Sequence, residues 1–412
     1  MSTATPLRTA RPRKLRVAHE LHELESTNPR LAKVLRWTWA RPMPVLIGIG
    51  LVVGVLGGLG RTDGDQVLFR AAGVGMLGPG FLDVFANSWL QIGPVYLLLL
   101  GVFTVIVRLL QLPDAAVGVA AAAAHGALVA WLTVSAARRA ASATGAWARR
   151  AEWVVGLSIV VGGFLYTSQT ADHPEELLVG LLVVHAAVSA GRSRLVQAAL
   201  LLVLATGVKQ WAPTTGGILL AGRRVRDSLV AITVLGVGIA VLYLPFKLWG
   251  DMNTFSLQWP FPDHTWLDRV PGMPGSSDWT QRVVQGLAAG IAGVGVAWRR
   301  HGSVLVAVIA SVAVRLLLDP LRLSYYWVAL AAAMLVWLWS SRSPGVARTR
   351  WWFTLLLPCL TFAPLVADTW WWHLETLVAV GLPLYCLAVE RSDRRTAAAS
   401  VPGERDPLGS AA

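Results

Sequence analysis

The sequence predicts an all-α fold, a polytopic membrane helix bundle of about 12 transmembrane helices, and three observations predict it. Hydrophobic residues make up 55% of the 412 and charged residues only 14%, with a mean hydropathy of +0.56, more apolar than soluble globular chains. Apolar runs of about 17 to 25 residues recur from Met43 to Val389, the length of a helix that crosses a ~30 Å hydrocarbon core. Basic residues fall in short clusters between those runs, as cytoplasmic loops do. That scattering also argues against a nucleic-acid partner, because the net charge of +13 forms no continuous stripe.

Taken in order, residues 1–42 read as a basic cytoplasmic tail, with nine Lys/Arg against three Glu up to Arg41. They lead into "PMPVLIGIGLVVGVLGGLG" without a small-residue cleavage signature, so the first span is expected to stay uncleaved. Residues 43–390 form the membrane domain, with spans predicted near 43–60, 115–137, 152–169, 176–190, 195–210, 213–222, 228–247, 283–298, 303–319, 324–341, 352–367 and 373–389. Residues 391–412 have the polarity of a disordered cytoplasmic tail. Cys359 and Cys386 both lie in apolar runs, which predicts structural thiols and no disulfide framework.

Charge decides the parity of the crossings. The run at 93–112, "GPVYLLLLGVFTVIVRLLQL", is long enough to span, but counting it would put Arg138, Arg139, Arg149 and Arg150 outside and invert every later loop. Leaving it out, along or dipping into the outer leaflet, places 27 Lys/Arg inside and 9 outside, with 9 Asp/Glu inside and 14 outside. Hydropathy alone reads the same run as an ordinary span. Both termini are then cytoplasmic, in a plasma-membrane protein whose acids face out. The stretch 195–222 has basic residues at both ends, and its rise of about 42 Å as helix falls short of two ~30 Å crossings. It predicts a shallow hairpin with Lys209-Gln210 at the apex, where a lysine needs an anion or a water-filled cavity.

On this topology the outer face collects Asp63 and Asp65, then Asp172, His173, Glu175 and Glu176 of "TADHPEE", a loop from Leu248 to Gln281, then "DPLRLSYYW" and "ADTWWWH". Carboxylates that bind or deprotonate hydroxyls, rings that pack on sugars and cations that meet phosphate suit chemistry on a polar group carried by a lipid. Each feature has a plainer reading. Most of the 20 tryptophans suit an interface belt, and His125 and His185, inside spans, suit hydrogen-bonded core positions. His264 suits a loop lid. Asp65 suits the start of an interfacial helix, where an acid is favoured by the dipole. Asp63-Gly64-Asp65 offers hard oxygen ligands for Mg²⁺ or Mn²⁺, but two acids form no specific metal motif, and no cofactor is expected.

The pattern resembles the GT-C superfamily of membrane glycosyltransferases, which use polyprenyl-phosphate-linked sugars on the outer face. It is most similar to actinobacterial polyprenol-phosphate-mannose-dependent α-mannosyltransferases. Asp65-Gln66-Val67-Leu68-Phe69 fits the family's essential aspartate in the first external loop, followed by hydrophobic and aromatic residues. Residues 93–112 fit its juxtamembrane helices, "ADHPEELL" its acidic second loop, "LATGVKQWAP" its lysine-bearing hairpin, and Tyr325 and Tyr326 its late aromatic loop. The chain departs at "QIGPVYLL", where relatives carry Tyr-Pro-Pro, and at "HPEE", where some carry Gln or Asn.

The resemblance implies an inverting transfer from a polyprenyl-phosphate sugar to a lipid or glycan acceptor. Asp65 would be the general base, with Asp63 as the second acid. Lys209 and Arg322 would hold the donor phosphate, and His173, Glu175, Gln210, Tyr325 and Tyr326 the substrates. A transporter or lipid flippase, and a non-catalytic scaffold, are the competing classes. No motif encodes the sugar, acceptor or linkage.

Overall fold

The computed structural model describes residues 23–59, 64–141, 145–222, 224–256, 266–270, 272–273, 278–298, 303–319, 323–360 and 369–399. Among these residues the regular structure is helical throughout, without strands. The first half runs α1 (Pro29–Ala40), α2 (Pro42–Gly58), α3 (Asp65–Gly75), α4 (Pro94–Leu109), α5 (Asp114–Ala140), α6 (Ala146–Val160), α7 (Phe164–Thr170) and α8 (Pro174–Gly191). The second half runs α9 (Leu195–Val208), α10 (Val225–Trp249), α11 (Asp278–Trp298), α12 (Val304–Leu317), α13 (Trp327–Ser340), α14 (Pro344–Leu356) and α15 (Thr369–Ala399).

Five described segments are long and apolar enough to cross a membrane: Asp114–Ala140, Ala146–Thr170, Pro174–Gly191, Val225–Trp249 and Trp372–Thr396. A sixth is added if α1 and α2, bent by 90° at Arg41, count as one. This is the character of a membrane protein, with fewer full-length spans than the sequence predicts. The difference has a physical source. The expected span at 195–210 is the 14-residue α9, and 303–319 is the 14-residue α12, each rising about 21 Å. The expected span at 213–222 is a 3-10 helix, Ala212–Ala221. Hydropathy counts apolar residues and is blind to where a helix stops, and these helices stop at Lys209 and near Arg315 and Asp319. Part of the expected span at 352–367 lies outside the described residues.

Parts of both predicted tails are helical. Residues 29–40 form a helix, capped by the Asn28 side chain accepting from the Leu31 N–H at 3.0 Å and begun by Pro29. Its Trp39 stacks on Trp153, whose indole N–H donates to the Trp39 carbonyl at 3.2 Å. At the other end α15 carries helix through residues 391–399; the remainder of that predicted tail lies outside the described residues.

The core is built on α8, α12 and α13, which are buried along nearly their whole length. Around it, α10 turns Leu229, Val237, Val241 and Leu244 outward, an apolar surface that suits contact with lipid. Helices α2 and α5 meet along a seam of small residues. A Cβ added at Gly50 would lie 2.4 Å from the Gly126 carbonyl oxygen, and one at Gly54 would lie 2.3 Å from that of Ala122. Only glycine lets the two backbones come this close. Three tryptophans, Trp327, Trp337 and Trp339, are buried, unlike belt residues. Their indole N–H groups donate to Glu375, Glu390 and Thr354 at 3.0, 3.3 and 3.1 Å.

The run at 93–112 is the 16-residue α4, about 24 Å long. It packs on α3, with Gly101 against the Gly73 backbone, and is tied to the end of α9 by the Gly93 N–H donating to the Val208 carbonyl at 2.9 Å.

Candidate functional site

Two irregular turns bring Asp65 and His173 together. Gly64, with φ +92°, precedes α3, and a side chain there would collide with the Asp172 carboxylate. Asp172 itself takes φ +59°, a left-handed conformation that Asp tolerates better than most residues. The Gln66 side-chain amide spans the two turns, donating to the Asp172 carbonyl at 3.0 Å. Asp65 then starts α3 and His173 stands at the residue before α8. The His173 Nε2 lies 3.1 Å from Asp65 Oδ2.

The next residues extend the contact inward. Pro174 opens α8, and Glu175 and Glu176 occupy its first turn, where the helix dipole favours acids. Both are fully buried. Glu175 Oε1 lies 2.8 Å from His173 Nδ1 and 2.8 Å from Lys209 Nζ, and Lys209 also lies 3.5 Å from Glu176 Oε1. Lys209 reaches them because α9 ends there in extended backbone. Asp65, His173, Glu175 and Lys209 thus form one continuous chain of alternating charge. The Tyr325 ring stacks on His173 at 4.3 Å, and Tyr326 meets Tyr325 edge-on at 4.6 Å.

These residues border a cavity of about 500 Å³, lined among others by Asp65, His173, Lys209, Gln210, Tyr325 and Tyr326. Burial opposes a charge on His173, but the Glu175 carboxylate and the hydrogen bonds to Asp65 and Glu175 push its pKa up to about 9. The same hydrogen bond from His173, outweighing burial, holds the half-exposed Asp65 carboxyl below its ordinary value. At neutral pH this pair is an imidazolium and a carboxylate. It can bind hydroxyl groups and accept a proton.

Of the residues read from sequence, Asp65, His173, Lys209, Gln210, Tyr325 and Tyr326 line this cavity, and Glu175 lies directly behind His173. Asp63, Arg322 and His264 lie outside the described residues. Lys209, expected at the donor phosphate, lines the cavity with its ammonium 2.8 Å from Glu175 and 3.5 Å from Glu176. The sequence assigned no site role to Glu176, Trp211, Arg282, Gln285 or Asp319, and gave Arg315 only a path-lining one in the competing transporter reading; all join the same wall or the groups behind it. A signal was present: Arg282 and Gln285 are three apart, and Arg315 and Asp319 four apart, polar pairs on one face of otherwise apolar helices.

His185 is the core histidine expected, with Nε2 2.9 Å from the Leu132 carbonyl and Nδ1 3.3 Å from Arg139. His125 is buried with Nε2 lacking a partner, beside a separate cavity of about 40 Å³ that Arg70, Tyr96 and Gln169 also line. Cys359 and Cys386 are free thiols. Among the described residues no group of three or more His, Cys, Asp or Glu is placed to hold a metal ion. Compared with known proteins, the chain matches no family model, no curated protein and no solved structure.

Proposed function

We propose that the protein is an integral-membrane glycosyltransferase that moves a sugar, mannose first among those to test, from a polyprenyl-phosphate donor to a lipid or envelope-glycan acceptor at the outer face. The observation that carries this reading is the meeting of Asp65 and Lys209, 144 positions apart in the sequence, through His173 and Glu175 at a single cavity. The resemblance to GT-C enzymes and the outward distribution of acids support it. A twelve-crossing, GT-C-like bundle, with α3 and α4 as juxtamembrane helices, belongs to the same proposal.

In this mechanism the acceptor hydroxyl oxygen attacks the anomeric carbon and forms the new C–O bond. The bond from that carbon to the phosphate oxygen breaks, and its electron pair leaves on the phosphate. Asp65 takes the acceptor proton. A carboxylate of lowered pKa is a weak base, which suits a proton that becomes acidic only as the new bond forms. His173 fixes the Asp65 carboxylate, Glu175 holds His173 charged, Lys209 pairs with Glu175, and Tyr325 with Gln210 lines the sugar's path. Attack from the face opposite the phosphate inverts the anomeric centre.

The test is to offer the purified protein a panel of polyprenyl-phosphate sugars with membrane-lipid acceptors and to identify glycolipid products by mass spectrometry. A sugar-bearing product that requires Asp65 is expected. The buried charges around Lys209 and Arg315 favour a second reading, a transporter or lipid flippase. Movement of labelled substrate across vesicles without covalent transfer would replace the first reading with that one.

A further inference from the structure

The cavity wall carries a second charged group that the proton chemistry leaves unused. Asp319, fully buried, accepts from Arg282 and from the Gln285 amide, each at 3.0 Å, and Gln285 also donates to the Arg315 carbonyl at 2.7 Å. Arg282 and Gln285 are therefore fixed in place. Arg315 is not saturated in the same way. Its Nη2 lies 3.7 Å from Asp319 and 4.0 Å from Glu176, beyond hydrogen-bond length. Its Nη1 is buried without a hydrogen-bond partner, and the residue is only 6% exposed. The guanidinium lies over the rings of Trp211 and Tyr326, at 4.7 and 5.0 Å. It cannot shed its charge, and an unsatisfied buried donor is costly. One donor edge of Arg315 is thus left for an acceptor brought into the cavity.

We infer that Arg315, with Arg282 beside it, forms a phosphate-ester subsite in this cavity. The choice of phosphate among anions rests on the glycosyl-transfer reading, in which this subsite takes the phosphodiester of the donor. Two guanidinium groups from different helices can grip a tetrahedral anion on two sides, and Arg is the residue suited to such two-pronged contacts. The Lys209 ammonium, in contrast, is already engaged by Glu175 and Glu176.

The test is calorimetric titration of the detergent-solubilised full chain with farnesyl phosphate, farnesol and inorganic phosphate. Farnesyl phosphate is expected to bind and farnesol not to. Arg315→Gln is expected to weaken farnesyl phosphate by about tenfold or more, the loss of a charge-assisted contact. Competition by inorganic phosphate would show that the free anion suffices, and its failure to compete would show that the subsite needs the lipid-linked ester. Equal binding of farnesol, no binding of farnesyl phosphate to the unaltered chain, or an unchanged affinity in folded Arg315→Gln overturns the assignment. If Arg315→Gln does not fold, Arg315→Lys carries the test: a several-fold loss is expected from losing the forked donor, and none overturns it. Arg315-dependent binding in a protein that transfers no sugar would keep the subsite and remove the glycosyltransferase reading. Transfer indifferent to Arg315→Gln would do the reverse.

Discussion

Asp65 acts through what surrounds it. Substitution by Asn keeps its shape and removes its proton affinity, so Asp65→Asn is expected to lower glycolipid formation by about 10²- to 10⁴-fold while the purified protein elutes and melts unchanged. His173 sets the pH window. Its pKa stands above the ordinary histidine value, so its charge and the stability it lends are complete below about 6.5 and are lost as pH rises through about 9. The rate should fall over that alkaline range. The lowered pKa of Asp65 puts the acid limb below the usual carboxylate range. In His173→Gln the limb near pH 9 should vanish and the acid limb should move up, which a profile of kcat/KM against pH would show. Asp65 was legible in sequence because a polar pair interrupts apolar runs just before an amphipathic helix. Its bond to His173 was not, since it depends on Gly64 and Asp172 taking left-handed backbone 108 positions apart. The pairing of Arg282 with Asp319 was not legible for a similar reason: a charge at the end of an apolar run does not reveal its partner on another helix.

Among the elements, the α2–α5 seam is the tightest test of packing. Gly54→Val would drive methyl groups into the α5 backbone, and overpacking of this kind costs about 1–3 kcal/mol. Thermal denaturation in detergent should show a lowered Tm for Gly54→Val and little change for Gly48→Val, whose added Cβ would meet nothing within 4 Å. Gly50, Gly54 and Gly58 stand four apart in the sequence, a spacing that suits close helix contact, but hydropathy does not single it out and nothing in it names the partner helix. Helix α1 has a separate role. It exposes Leu31, Val34, Leu35, Trp37 and Trp39 together with Arg30 and Lys33, and it turns by 90° from α2, the arrangement of a helix lying in a lipid headgroup layer. A spin label at Leu35→Cys, in a Cys359→Ser background, should report shallow burial in bilayers.

At the scale of the molecule, the arrangement of the ends of helices matters more than their number. Composition was enough to read an all-helical chain with membrane character, because burying so much apolar surface within 412 residues leaves little alternative. The depth of each helix was not readable, since α9 and α12 end at charges that hydropathy merely averages. The proposed topology makes an asymmetric prediction. In a Cys359→Ser background, Asn87→Cys should react with a membrane-impermeant maleimide in intact cells, and Ser193→Cys only after permeabilisation. The reverse pattern, or labelling of both from outside, would sink the outward-facing site.

Helix α13, the buried centre of the bundle, follows twelve of the described α-helices in the chain and precedes only α14 and α15 among them. Helices α5, α6 and α8, which pack against it, leave the ribosome earlier and keep an unfilled slot until residues 327–340 arrive, while α14 and α15, which accept the hydrogen bonds of Trp339, Trp327 and Trp337, follow it. Final assembly is therefore a late event in biogenesis. A nascent chain halted before Ser340 should be protease-sensitive where the finished protein resists cleavage, and quality-control enzymes would meet this protein chiefly in that interval.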